Sequence, residues 1–226
     1  MSVKLVVFDM AGTTVEDNNN VHQALIDAMD EAGISVSLEE VNDVMGYPKP
    51  VAITQLLKNH SVDNEHPNEN LIKEIHEDFV SRMILFYRSD LSVAPKIGAE
   101  ETFLALRKKR IKIALDTGFD RAIADAILNR LFWKNGFLDA TVTSDEVERG
   151  RPYPDLINRA MQITEINNPD QVMKVGDTIS DLQEGRAAGC KYIVGLTSGA
   201  FSRVQLAEEY HTHLIDDLRE ILDIID

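Results

Sequence analysis

The chain has 226 residues, of which 44% are hydrophobic and 27% charged, so it can bury a sizeable core and is long enough for one main domain and a smaller one. Its formal net charge of −15 at pH 7 disfavours binding to nucleic acid or to an anionic membrane surface, because both require a basic face. Cys190 is the only cysteine and no stretch approaches the length of a transmembrane helix. We therefore expect a cytoplasmic protein. We also expect it to be a monomer or a homodimer.

The first predicted element is a strand over residues 4–8, an apolar run rich in β-branched residues that ends on Asp9. Gly12, Thr13 and Thr14 follow it. In an open α/β sheet, ligands bind at this end of the strands. A carboxylate there can accept a phosphoryl group or bind Mg²⁺. Taken alone, the pattern fits an ordinary Asp turn equally well.

Residues 15–92 are predicted to be helical. Apolar residues recur at helical spacing over 21–32, 51–57 and 71–86, a capping box occupies 37–40, and a polar loop is predicted over 60–70. The sequence therefore predicts an all-helical cap domain of residues 15–92, inserted into a core of residues 1–14 and 93–226.

Strands and helices alternate in the rest of the chain. Helices are predicted over 99–109 and 120–131, and the segment 176–181 opens a further helix that runs to Gly189. Strands are predicted over 111–118, 141–143, 171–175, 192–196 and 213–215. This alternation predicts an α/β fold with a parallel, Rossmann-like sheet. The ends of three strands would bring Asp9, Thr117 and Asp177 to one edge of that sheet, with Arg151 on a proline-stiffened loop nearby.

Such a set supplies what phosphoryl transfer needs: a nucleophile, metal ligands, a hydroxyl and a cation for the phosphoryl oxygens. A local positive charge or a metal is also needed because the net charge of the protein repels an anionic substrate. Each residue has a simpler interpretation by itself. Thr117 fits a turn, Arg151 a surface charge and Asp181 the first turn of a helix.

The order Asp9, Thr117, Arg151, Gly176-Asp177 and Asp181 resembles the haloacid dehalogenase superfamily, over residues 1–10 and 93–200. The resemblance implies a Rossmann-like core in which Asp9 attacks phosphorus. It also implies a Mg²⁺ ion bound by Asp9, the backbone carbonyl of Ala11 and Asp177, with support from Asp181. Thr117 and Arg151 would bind the transferred group. Further substrate contacts are expected at Gly12, Thr13, Gly46, Lys49 and Gly118.

Ala11 departs from the pattern of most phosphatases in that superfamily, which carry at this place a second Asp that protonates the leaving alcohol. The segments 9–14, 150–154 and 176–181 resemble instead the phosphonatase branch, the phosphonoacetaldehyde hydrolases and their relatives. In that branch a carbon leaves, and a lysine of the cap forms a Schiff base with the substrate aldehyde.

Lys49 is the candidate for that lysine, because Met45-Gly46-Tyr47-Pro48-Lys49 has the Met-Gly-x-x-Lys form of the branch. A lysine can serve if burial or a neighbouring cation lowers its pKa. Two departures weaken the match: Ala52 stands where the branch has a histidine, and the segment 18–20 lacks its cap cysteine. Lys49 could instead contact a substrate phosphate.

Three functions remain open. The first is a Mg²⁺-dependent, phosphonatase-like hydrolase of a small phosphonate, with an aspartyl-phosphate intermediate. The second is a phosphatase of the same superfamily acting on a small phosphate monoester, similar to phosphoglycolate phosphatases. The third is a binding protein that keeps the fold, which the costly cluster of carboxylates at one sheet edge argues against.

Overall fold

A computed structural model describes residues 2–60, 68–134 and 136–225. Its centre is a six-stranded sheet with the strand order β3-β2-β1-β4-β5-β6, in which every neighbouring pair is parallel. The strands are β1 (Leu5–Asp9), β2 (Lys112–Thr117), β3 (Ala140–Thr143), β4 (Val172–Gly176), β5 (Tyr192–Leu196) and β6 (His213–Ile215). This architecture confirms the predicted α/β fold with a parallel, Rossmann-like sheet.

The strands β1, β2 and β4 are almost entirely buried, as expected for a parallel sheet covered by helices on both faces. Asp9 lies beside Asp116 in the pairing of β1 with β2, and Phe8 lies beside Val175 in the pairing of β1 with β4. Because the three strands are parallel and in register, the residues that follow them meet at one edge of the sheet.

In the described part of the segment 15–92, four helices follow β1 in the chain: α1 (Asn20–Glu31), α2 (Leu38–Asp43), α3 (Lys49–His60) and α4 (Glu69–Ser89). The predicted capping box opens α2, with Ser37 and Glu40 bonded reciprocally. α1 and α3 pack against α4, and α4 packs against the sheet-flanking helix α6 (Arg121–Arg130). The division into a cap of residues 15–92 and a separate core stays a prediction, and the predicted loop 60–70 lies mostly outside the described residues.

The remaining helices flank the sheet: α5 (Ala99–Lys108), α7 (Asp155–Ile163), α8 (Ile179–Ala187), α9 (Arg203–Ala207) and α10 (Ile221–Ile224). We did not predict α7, although its buried residues Leu156, Ile157, Ala160 and Met161 stand at helical spacing. α9 and α10, with five and four residues, are too short to show a period. Within the described ranges, no helix combines the length and the apolar character needed to cross a lipid bilayer.

Candidate active site

A cavity lies between the carboxyl edge of the sheet and the helices α1 and α3. It has an empty volume of about 400 Å³, including the part that is open to solvent. Most of the predicted site residues line it: Asp9, Ala11, Gly46, Lys49, Thr117, Gly118, Arg151 and Asp177. Gly12, Thr13 and Asp181 do not line it.

Asp9 ends β1 and is 5% exposed. Burial raises the pKa of its carboxyl group well above the usual range; Arg151 opposes this shift, and the charges of Asp181 and Asp177 add to it. Arg151 Nη1 donates a hydrogen bond to Asp9 Oδ1 at 2.6 Å. The other carboxylate oxygen, Oδ2, accepts no such bond from Arg151, so the residue keeps an oxygen with which it can attack or bind a metal.

The loop after β1 holds Asp177 in place. Thr13 Oγ1 donates to Asp177 Oδ1 at 2.7 Å, and the backbone N–H of Ala200 donates to Asp177 Oδ2 at 2.7 Å. Gly12 has φ +88°, and a Cβ atom there would lie 2.3 Å from Asp177 Oδ2. A side chain is therefore excluded at Gly12 both by conformation and by contact. Direct substrate contacts of Gly12 and Thr13 stay a prediction, because the hydroxyl group of Thr13 is already directed at Asp177.

The guanidinium group of Arg151 is paired with several carboxylates. Besides Asp9, its guanidinium donates to Asp116, and its Nε donates to Glu184 Oε2 at 2.9 Å. Asp181 Oδ1 lies 3.2 Å from Arg151 Nη2. The surface-charge interpretation of Arg151 is thus wrong. The residue is buried, and the N–H donors of its guanidinium group are paired with several carboxylates.

A second cation, Lys174 of β4, completes this cluster. Its ammonium group pairs with Asp116, with Asp181 at 3.1 Å and with Glu184 at 3.0 Å. Burial and the charge of Arg151 act to lower the pKa of Lys174, but these carboxylates outweigh them and raise it. Burial, and next the negative charge of Asp116, raise the pKa of Glu184 to about 7.

Sequence reasoning missed Asp116, Lys174 and Glu184. A signal for two of them was present, because Asp116 and Lys174 interrupt otherwise apolar strands. A charged residue in a strand buried on both faces needs a partner of opposite charge.

The carboxylates at this edge fit a divalent cation. Asp177 and Ala11 line the cavity with Asp9, and carboxylate and carbonyl oxygens suit Mg²⁺. Burial, and next the charge of Asp181, raise the pKa of Asp177 to about 6. A bound cation would relieve this repulsion and keep the carboxylates ionised.

A different triad, Asp9, Asp116 and Asp181, brings its oxygens within 4.8 Å of one another. Asp116 and Asp181 are already paired with Arg151 and Lys174 and do not line the cavity. The set Asp9, Ala11 and Asp177 therefore stays the predicted metal site, and Asp181 pairs with Arg151 and Lys174 behind it.

Lys49 is the first residue of α3 and is only 3% exposed. Its ammonium nitrogen lies 5.5 Å from the ring centre of Phe79 and 5.6 Å from that of Phe119. Burial lowers the pKa of Lys49 to about 8, with Arg151 also lowering it, while Asp9 and Asp17 act in the opposite direction. In the described part of the chain it forms neither a salt bridge nor a side-chain hydrogen bond to an acid.

The loop before Lys49 is pressed against the start of α8. Gly46 has φ +82°, and a Cβ atom there would lie 2.1 Å from Ser180 Oγ and 2.4 Å from Thr178 Oγ1. Ser180 also contacts the carbonyl oxygen of Met45. Glycine is thus required at position 46 for the loop to pack on the sheet edge, and this packing places Lys49 in the same cavity as Asp9.

Two further titratable residues of the helical segment line the cavity, Asp17 and His22. Burial raises the pKa of Asp17, and burial lowers that of His22. Sequence reasoning missed both, because neither stands in a recognisable motif.

The fold and the site together define an α/β enzyme with its reactive groups at the carboxyl edge of a parallel sheet. The chain belongs to the haloacid dehalogenase-like hydrolase family, whose model matches residues 3–189. This membership confirms the resemblance seen in the sequence and the prediction that the protein is an enzyme.

Curated relatives and solved structures agree with this assignment. The chain is 30% identical to the phosphonoacetaldehyde hydrolase of Bacillus cereus (strain AH820), over all of this chain and 87% of the relative. It also matches the structure of a phosphonoacetaldehyde hydrolase-like protein from Oleispira antarctica, with a TM-score of 0.88 and 22% identity, over 100% of this chain and 92% of the other. A hydrolase from Pseudomonas syringae matches with a TM-score of 0.87 and 20% identity, over 99% and 97% of the two chains.

Proposed function

We propose that the protein is a Mg²⁺-dependent hydrolase that cleaves the C–P bond of a small aldehyde-bearing phosphonate, phosphonoacetaldehyde or a close analogue. Asp9 takes up the phosphoryl group and Lys49 binds the aldehyde as an imine. The name of the 30% identical relatives supports this substrate class. The observation that carries the proposal is the burial of an amine without an acidic partner in the cavity of Asp9.

The environment of Lys49 suits imine formation. Only a neutral amine attacks a carbonyl carbon. With a pKa of about 8, about one Lys49 in ten is neutral at pH 7, against about one in 3000 for an ordinary lysine with a pKa of 10.5. A lysine that served only to bind a phosphate would gain nothing from this loss of charge.

The absence of an acid at Ala11 fits the same chemistry. A departing alkoxide needs a proton from an acid, whereas a departing carbon next to an iminium ion does not. When Asp9 attacks phosphorus, the electrons of the C–P bond move into a C=C bond and neutralise the iminium nitrogen. The products of this step are an enamine on Lys49 and a phosphoryl group on Asp9.

The charged groups at the sheet edge hold the phosphonate. Arg151 and Thr117 line the cavity beside Asp9 and would bind the phosphoryl oxygens. Mg²⁺, held by Asp9, Asp177 and the carbonyl of Ala11, would supply charge neutralisation on those oxygens. Asp116 and Glu184, which are also paired with Lys174, fix the guanidinium of Arg151 from behind.

Borohydride trapping tests this proposal directly. The purified protein is incubated with phosphonoacetaldehyde, Mg²⁺ and borohydride; mass mapping then locates any adduct, and released phosphate is assayed in parallel without borohydride. We expect a reduced adduct on Lys49 together with phosphate release, and loss of both in Lys49→Arg. Phosphate release that persists in part in Lys49→Arg would contradict the imine.

A phosphatase acting on small phosphate monoesters is the second candidate, and Asp17 favours it. This residue lines the cavity, and burial raises the pKa of its carboxyl group, so it could protonate a leaving alkoxide in place of the acid missing at Ala11. Turnover of phosphoglycolate or another small ester that is lost in Asp17→Asn and unaffected by Lys49→Arg would establish this candidate.

A further inference from the structure

His22 has the geometry of a reactive residue. It belongs to α1, is 2% exposed and lines the cavity together with Lys49. Its Nε2 atom contacts Asn42 Oδ1 at 3.1 Å. Its Nδ1 atom is buried and has no hydrogen-bond partner within the described residues. A buried polar atom without a partner is costly, and a substrate in the cavity would supply one.

The chemistry at Lys49 requires proton transfers that Arg151 and Asp9 serve poorly. The carbonyl oxygen must leave as water, and the enamine carbon must later gain a proton. Arg151 stays charged at all relevant pH values, and Asp9 is committed to phosphorus. An imidazole can give and take a proton near neutral pH.

We propose that His22 is the catalytic residue that transfers protons to and from the substrate carbon and oxygen atoms bound at Lys49. This inference rests on the proposed imine chemistry. Its contact with Asn42 fixes the ring and leaves Nδ1 as the ring nitrogen without a partner within the described residues. The role cannot be assigned from the Lys49 motif, since His22 comes from a different helix and position 52 is alanine.

The steps balance as follows. The Lys49 ammonium gives one proton to neutral His22 and Nζ bonds to the carbonyl carbon; His22 passes that proton, and then the second proton that Nζ releases, to the oxygen, which leaves as water and gives an iminium ion. C–P cleavage then forms the enamine. His22, protonated again from solvent, gives a proton to the enamine carbon, which regenerates an iminium ion, and water hydrolyses this ion to the aldehyde and the Lys49 ammonium. A second water molecule releases phosphate from Asp9.

The charges around His22 are compatible with this role. Burial is the largest influence and lowers the pKa of the imidazole; the hydrogen bond to Asn42 and the charge of Asp17 act to raise it, and the charge of Lys49 acts to lower it. Asn42 is the neutral partner at Nε2. The ring is therefore mostly neutral in the free enzyme and can accept the proton that the attacking amine loses.

His22→Gln tests the proposal with little change in shape, because the glutamine amide can reach Asn42 but cannot carry a proton. His76→Gln is the matched control: His76 lies on α4, pairs with Asp120 at 3.2 Å and does not line the cavity. We measure phosphate release from phosphonoacetaldehyde, the rate at which the adduct on Lys49 appears under borohydride, and rescue of His22→Ala by added imidazole.

We expect His22→Gln to lower both rates by about 100-fold or more, His76→Gln to change neither appreciably, and imidazole to restore part of the activity of His22→Ala. Wild-type rates in His22→Gln, or equal losses in His22→Gln and His76→Gln, would overturn the role of His22. If His22→Gln fails to fold, Asn42→Ala is measured instead, because it keeps the imidazole but removes the contact that fixes its orientation. Unchanged rates in Asn42→Ala would count against the proposal. An absent adduct in the wild type would instead remove the imine chemistry itself.

Discussion

Replacement of Lys49 by methionine should stabilise the protein while abolishing its amine chemistry. Lys49 is 3% exposed, and its pKa falls from 10.5 to about 8 in the folded state. Each pKa unit corresponds to about 1.4 kcal/mol, so burying the charged amine costs about 3 kcal/mol at pH 7. Methionine has a similar length, carries no charge, and its sulfur packs well against aromatic rings such as those of Phe79 and Phe119.

The increase in stability caused by Lys49→Met should depend on pH. Below pH 8 the amine is protonated in both the folded and the unfolded state, so the full cost of burying the charge is present. Between about 8 and 10.5 the folded protein has lost the proton that the unfolded chain still binds, so the cost shrinks as pH rises. The stability difference between Lys49→Met and the wild type should therefore be largest at neutral pH and fall above pH 8.

Urea unfolding of both proteins, at pH 7 and at several values up to pH 10, measures this difference in the free energy of unfolding. Contributions of titratable groups that both proteins share cancel in the difference. Lys58→Met is the control, because Lys58 lies on the same helix and is exposed; we expect its stability to stay within about 0.5 kcal/mol of the wild type. A Lys49→Met protein that is less stable than the wild type, or a gain that does not change with pH, would refute a buried, partnerless amine at position 49.

Three further outcomes are expected. Asp9→Asn should abolish phosphate release while the circular dichroism spectrum and the trapping of acetaldehyde on Lys49 persist; appreciable residual turnover would contradict the role of Asp9 as nucleophile. A chelator should abolish phosphate release, and Mg²⁺ should restore it, without affecting the trapping of acetaldehyde, which has no phosphonate group. Ala11→Asp should raise the rate of hydrolysis of small phosphate esters by supplying an acid at the cavity, and an unchanged rate would show that protonation of the leaving group does not limit that reaction.

The meeting of Asp9, Thr117 and Asp177 could be predicted from the sequence because parallel strands make the relation between sequence and space simple. Each residue ends or follows an apolar strand, and the right-handed strand-helix-strand connection returns every such end to one edge of the sheet. The prediction needed no knowledge of side-chain packing.

The partners of Arg151 could not be predicted in the same way. The sequence shows that a cation lies near the site. Its contacts with Asp116 and Glu184, however, depend on how far below the sheet edge β2 and α8 place these two side chains. The same limit applies to His22. The spacing of α1 identifies His22 as part of a face that packs inward, and only the docking of that helix on the sheet decides that the face meets Lys49 and not an apolar neighbour.

The structure also changes how the negative net charge of the protein is overcome. Arg151 was expected to attract an anionic substrate, yet its charge is already matched by Asp9, Asp116, Asp181 and Glu184. Among the described cavity residues, the lysine or arginine without an acidic partner is Lys49.

A phosphonate that approached Lys49 without a counterion would raise the pKa of the amine and so work against imine formation. Mg²⁺ held by Asp9 and Asp177 would neutralise the phosphonate, remove that effect and leave the amine near its value of about 8. Metal binding and imine formation should therefore be coupled for a phosphonate substrate and independent for an uncharged aldehyde. Comparing the rates of adduct formation on Lys49 from phosphonoacetaldehyde and from acetaldehyde, with and without Mg²⁺, separates the two cases, and a Mg²⁺ dependence equal for both aldehydes would contradict the coupling.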